Sequence, residues 1–182
     1  MKRWRWWHGV LLYGGVQAVQ LAARAMTGPE DVSFYKRQRL PVFAPPSVAF
    51  PIAWSINSIC AMAGLLHALN APKNTPGRAT YVGAQSAAWV LFSIFNAAYF
   101  GLRSPINAAV VTSLYTAATA VALASAVGRM RDPQAAWALA PTAAWLALAN
   151  PVAIAQAAWN RDEFWNAGPF AEPPPHLVRK PS

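Results

Sequence analysis

The chain has 182 residues, 55% of them hydrophobic and only 12% charged, with nine tryptophans, sixteen prolines and a single cysteine. A soluble domain carries about a quarter charged residues, so a soluble fold is excluded, and one cysteine, Cys60, excludes an internal disulfide. The net charge of +9 lies almost entirely between apolar blocks, where cations meet anionic lipid headgroups at roughly 1 kcal/mol each; no basic helical face or stacking platform accompanies it, which removes nucleic acid as a partner.

Crossing a hydrocarbon core takes roughly 20 residues of helix. Five stretches qualify, at about 8–26, 47–69, 79–102, 105–127 and 134–158. Backbone polar groups in lipid must be paired within the segment, so the prediction is all-α: a polytopic bundle of five membrane helices spanning 1–160, with a proline-rich extramembrane tail at 161–182. Lys2, Arg3 and the following apolar run also fit a secretory signal. Against that, Trp4, Trp6 and Trp7 look like an interfacial anchor, and Gln17 and Gln20 interrupt the run. The breaks between blocks carry turn chemistry, as in Thr27-Gly28-Pro29, Arg103-Ser104-Pro105 and Arg131-Asp132-Pro133. Within the fourth block, Ala108, Ala109, Thr112 and Thr116 provide the small surface that lets membrane helices approach closely. In the fifth, Pro151 is expected to kink the helix. Five spans divide the basic residues seven to eight between the two sides, so orientation is not fixed. The tail, with Pro169 and Pro173-Pro174-Pro175, favours extended structure without a core of its own.

Two stretches carry a family pattern. The first loop and second helix place Tyr35, Pro41, Pro45, Pro46, Phe50, Pro51 and Trp54 at fixed spacing, with Phe34 and Phe43 standing for tryptophans. In the fifth helix, Pro141, Ala144, Trp145 and Ala149 repeat the match. This arrangement resembles the TspO/MBR family of tryptophan-rich sensory and translocator proteins. The resemblance implies a five-helix bundle with a cavity for flat hydrophobic ligands such as porphyrins. Matched positions assign Trp54, Trp145 and Ala149 to that cavity, joined by Trp89 and Phe92 from the third helix. Phe34, Tyr35, Pro41, Phe43, Pro45 and Pro46 would form a loop lid, its prolines lowering the entropy lost on closure. Indole faces suit stacking on a macrocycle, while simple packing between helices is the plainer role for both tryptophans. The third and fourth helices depart from the pattern: Asn96 and Tyr99-Phe100-Gly101 fall out of register, and the late asparagine of the fifth helix is Ala153.

Catalysis finds no support, because the apolar blocks hold no Asp or Glu for acid–base work. His8, His67 and His176 lack metal-ligand spacing; His67 and His8 are weak candidates for an axial bond to a tetrapyrrole metal, and no other metal site is expected. Cys60 reads as a small packed hydrophobe. The leading expectation is a non-catalytic binder of a porphyrin or (bacterio)chlorophyll-type tetrapyrrole, or another apolar small molecule, serving regulation or transport in a bacterial inner or intracytoplasmic membrane. The alternative is a structural subunit of a larger membrane assembly, such as a photosynthetic reaction-centre or light-harvesting complex, or a homodimer. Its outward contacts would come from residues 1–8, with Trp4, Trp6 and Trp7, and from the tail, with Phe164, Trp165, Phe170, Arg179 and Lys180.

Overall fold

The sequence breaks act as helix starts. Ser104 Oγ accepts from the Asn107 amide at 3.0 Å and Asp132 Oδ1 from the Ala135 amide at 3.0 Å. In each case a proline follows as the first helical residue, where its missing N–H costs nothing. The computed structural model describes residues 3–31 and 33–179. Its helices are α1 (Trp6–Thr27), α2 (Phe34–Arg37), α3 (Ala49–Asn70), α4 (Arg78–Asn96), α5 (Pro105–Ala124) and α6 (Pro133–Trp159). Wider π-helical turns extend α4 over Ala97–Gly101 and α5 over Ser125–Met130. Among the described residues, β structure is confined to two isolated bridges.

The five long helices close in the order α1, α3, α6, α5, α4 and back to α1. Small residues set the tightest approach. A Cβ on Gly64 of α3 would lie 2.7 Å from Ala138 Cβ on α6 and 2.7 Å from the Tyr81 hydroxyl on α4. Tyr81 in turn donates to Ala135 O at 3.2 Å, so three helices meet at one glycine. Around them Ala61, Met62, Leu65, Ala68, Trp89, Ala122 and Leu139 form the core at this end.

Three helical segments, Ala49–Asn70, Pro105–Met130 and Pro133–Trp159, are individually long and apolar enough to cross a membrane. The chain is thus an integral, polytopic helical membrane protein, and its apolar outer surface faces lipid. Helix α1 is polar by comparison, through Gln17, Gln20 and Arg24, and buries only Gly9. Helix α6 runs as a single α-helix through both Pro141 and Pro151. Its Asn150 accepts from Ser113 Oγ on α5 at 2.9 Å, which ties the two helices beside that proline.

Both ends of the chain, for which outward contacts were expected, also fold back onto the chain itself. Trp4 exchanges two hydrogen bonds with the Asn70 side chain, at 2.7 and 2.8 Å, closing the N-terminal segment onto the end of α3. The tail folds back over the first loop: Val42 N donates to Leu177 O at 2.9 Å and Arg179 N to Leu40 O at 2.8 Å. Extended, proline-stiffened backbone finds its partners on the loop's free edge. Trp6, Trp165 and Phe170 nonetheless stay mostly exposed, at 77%, 59% and 70%; Met1, Lys2 and Lys180 lie outside the described residues.

Gly64→Val should separate α3 from α6 and destabilise the bundle by about 1–3 kcal/mol, the range for overpacking a close contact. Thermal unfolding in mild detergent checks this, with Gly83→Val, which meets no atom within 4 Å, as the neutral comparison.

Candidate functional site

At the opposite end from Gly64, helical spacing brings aromatic residues onto one interior face. Phe50 and Trp54 lie one turn apart on α3; Ala108, Thr112 and Tyr115 repeat every three or four residues on α5; Trp145, Ala149, Val152 and Gln156 do the same on α6. With Phe92 and Phe95 of α4, Tyr99 and Phe100 of its π-helical turn, and Tyr35 and Pro45 of the loop, they line an enclosed chamber of about 50 Å³.

The rings form a continuous chain. Tyr35 meets Phe50 edge-on at 5.1 Å, and Phe50 meets Trp145 at 5.3 Å. Trp145 touches Trp54 at 6.2 Å, and Trp54 lies nearly parallel to Tyr115, with 5.8 Å between centroids and 11° between planes. Polar groups are few. Gln156 Nε2 donates to the Tyr99 hydroxyl at 2.7 Å, while the buried Trp145 indole N–H meets no acceptor among the described residues. The lining therefore offers flat apolar faces.

The loop seals this chamber. Phe34 packs edge-on against Tyr99 at 5.5 Å, and Leu40 and Ala44 are buried in the same cluster with Ala108 and Val152. The Tyr35 hydroxyl donates to Pro45 O at 2.9 Å. Burial pushes the Tyr35 phenol up to about 12, only partly opposed by the nearby Arg179 charge. At the loop's start, Asp31 accepts from Arg37 at 2.5 Å and from Ser33 at 2.6 Å. These two bonds, the guanidinium's foremost, hold its carboxyl well below the usual carboxylate range.

Of the residues assigned from the sequence, Trp54, Phe92, Trp145 and Ala149 line the chamber, and Tyr35 and Pro45 close it. Others do not. Trp89 belongs to the core around Met62 and Leu139, reaching Phe92 only edge-on at 5.6 Å. Phe43 is 46% exposed and Pro46 also faces outward, while Pro41 is buried beneath Val178. His67 sits thirteen residues along α3 from Trp54, about 20 Å at helical rise, where its Nε2 meets Asp132 at 2.7 Å. His8 caps the start of α1, its Nδ1 accepting from the Arg5 amide at 2.9 Å. Neither histidine reaches the chamber, so neither serves as an axial ligand there.

Sequence reading missed Phe50, Phe95, Tyr99, Phe100, Tyr115 and Gln156. The signal for Tyr99 and Phe100 was their slip in register. The π-helical turn, with Leu102 N bonded to Ala97 O at 2.9 Å and Ser104 N to Tyr99 O at 3.1 Å, accommodates an extra residue and rotates both rings inward. On the other side of the aromatic wall, a cleft of about 460 Å³ lies between α1, α3 and α4. Tyr13, Gln17 and Gln20 border it, and Tyr35, Phe50, Trp54, Phe92, Phe95 and Phe100 separate it from the chamber.

The chain matches the TspO/MBR family over residues 9–158, from the first turn of α1 to the last turn of α6. It belongs to that family. The match ends before the segment that folds back over the loop. Among curated proteins none matches the chain in sequence.

A phenol whose pKa is raised on folding stabilises the folded state below its unfolded value of about 10 and loses that contribution as pH rises through the folded value. Tyr35→Phe should cost about 1 kcal/mol at neutral pH through the lost Pro45 bond. The stability gap between parent and variant should then shrink from pH 10 to pH 12, read by thermal unfolding at stepped pH.

Proposed function

We propose that this TspO/MBR-family protein is a five-span membrane receptor that takes a flat, apolar, tetrapyrrole-like ligand into the aromatic chamber and performs no chemistry on it. Helices α1 and α4 complete the five spans: α1 has 22 residues, and α4 with its π-helical turn runs from Arg78 to Gly101. At about 1.5 Å per residue both suffice to cross the hydrocarbon. The observation that carries the binding reading is the ring chain from Tyr35 to Tyr115. Stacked indoles and phenols hold a planar macrocycle.

At about 50 Å³ the chamber is too small for a macrocycle, since ligand sites typically enclose on the order of 300–1,000 Å³. Binding therefore requires the wall of Trp54 and Phe92 to swing aside and join the chamber to the α1 cleft. The ligand reaches the site laterally, from the membrane, where a flat apolar molecule concentrates. Regulation or transport follows from that exchange between lipid and lid.

The closed chamber also supports a second reading, in which the fold serves as a scaffold within a larger membrane assembly, such as a photosynthetic complex. The exposed Phe164, Trp165 and Phe170 would then be its contacts.

Trp54→Ala and Trp145→Ala should each weaken binding of a dicarboxylate porphyrin by about 1–3 kcal/mol, the scale of lost stacking and burial. Quenching of intrinsic fluorescence in nanodiscs measures it. Binding unchanged in both variants, with thermal stability intact, would favour the scaffold.

A further inference from the structure

The segment after α6 lies beyond the family match, and it is built onto the loop that seals the chamber. Asn160 makes the first attachment, accepting from the Arg39 amide at 2.7 Å and donating to the Arg39 carbonyl at 3.1 Å. Glu172 then pairs with the Arg39 guanidinium at 2.9 Å. Finally Pro41 and Val178 form an antiparallel bridge, and the Arg179 guanidinium reaches the Ala44 carbonyl. Loop residues 39–44 are thus held along their outer edge, while Leu40 and Ala44 press inward on the cluster containing Tyr99 and Val152, which line the chamber.

Lid and outer segment are held by different forces. The lid is fixed by buried apolar contacts. The outer segment is mostly exposed, and it grips the lid through a few hydrogen bonds and one solvent-exposed ion pair, Arg39–Glu172, contacts that open at low cost. Pro169, Pro173, Pro174 and Pro175 keep it extended, so reattachment needs little ordering. We propose that residues 160–179 are a strap that sets how often the lid opens, so that strap release governs ligand exchange. The proposal rests on the chamber being a ligand site; the strap's hold on the lid can be tested without any ligand.

The bridge geometry supplies the test. Bonds from Val42 N to Leu177 O and from Arg179 N to Leu40 O flank Pro41 and Val178, which makes them a non-hydrogen-bonded pair. Such pairs have Cα atoms about 4.5 Å apart, within disulfide range. In a Cys60→Ser background, Pro41→Cys with Val178→Cys should, once oxidised, slow association and release of a dicarboxylate porphyrin at least tenfold, and thiol reduction should restore both rates. Truncation after Ala171 should speed both rates about tenfold while changing Kd much less. In the ligand-free truncated protein, the Gln38 and Ala44 amides, which bond within the lid and not to the strap, should exchange hydrogen at least tenfold faster. Unchanged exchange at those two amides overturns the strap, even if the cysteine pair fails to cross-link. Faster amide exchange with unaltered porphyrin rates overturns its role as the gate. If porphyrin binds none of the forms, the chamber reading fails while amide exchange still decides whether the strap holds the lid.

Discussion

Three polar side chains at and just beyond the end of α6 hold the chamber end of the bundle in one arrangement. Gln156 reaches inward to Tyr99, Asn160 outward to the Arg39 backbone, and Asp162 sideways to α5. Asp162 is 1% exposed and accepts from Ser104 Oγ at 2.6 Å, the Ile106 amide at 3.0 Å and the Trp165 amide at 2.9 Å. A buried carboxylate tolerates that position because it meets the positive end of α5 and three donors. Chamber wall, lid and neighbouring helix are thereby referred to the C-terminal end of α6 and the three residues that follow it, and the strap starts from the same place. Among helices whose outer faces are largely apolar, such polar contacts supply the directionality that lipid cannot.

The chamber beneath is sealed by rings, not by charges. Aromatic pairs contribute about 0.5–1.5 kcal/mol each beyond area burial, so one side chain can turn while its neighbours stay in place. That property suits a wall shared with the α1 cleft. Helix α1 is the least buried of the long helices, and its Gln17 and Gln20 border the cleft. Opening toward α1 disturbs fewer contacts than parting α5 from α6, where Ser113 and Asn150 are bonded across the interface.

The legibility of the sequence follows the same physics. Proline and charge marked the helix starts because Ser104-Pro105 and Asp132-Pro133 act through local hydrogen bonds that need no tertiary context. Trp54, Trp145 and Ala149 were legible only through the resemblance to the TspO/MBR family, which the prolines and aromatic residues of the first loop, second helix and fifth helix carry. The rest of the chamber was not, since a membrane helix is apolar on every side and periodicity does not tell lipid from interior. Trp89 shows the difficulty: it sits one turn before Phe92, yet only Phe92 reaches the chamber. Tyr99 and Phe100 were hidden by the π-helical turn, which shifts their facing by one residue, and Gln156 acquires meaning only once Tyr99 stands opposite it. The tail's proline content forecast neither its 3₁₀ turn over Pro175–Leu177 nor that the lid's free edge would receive it.

The central claim is that a planar macrocycle occupies the space between Trp54 and Trp145. With nine tryptophans in the chain, fluorine NMR of the 5-fluorotryptophan-labelled protein in nanodiscs, assigned by single replacements, tests it most directly. Addition of a porphyrin should shift the Trp54 and Trp145 resonances strongly through the macrocycle's ring current, leaving Trp6, Trp137 and Trp165 in place. Shifts confined to those exposed tryptophans, with Trp54 and Trp145 unmoved, would contradict the account.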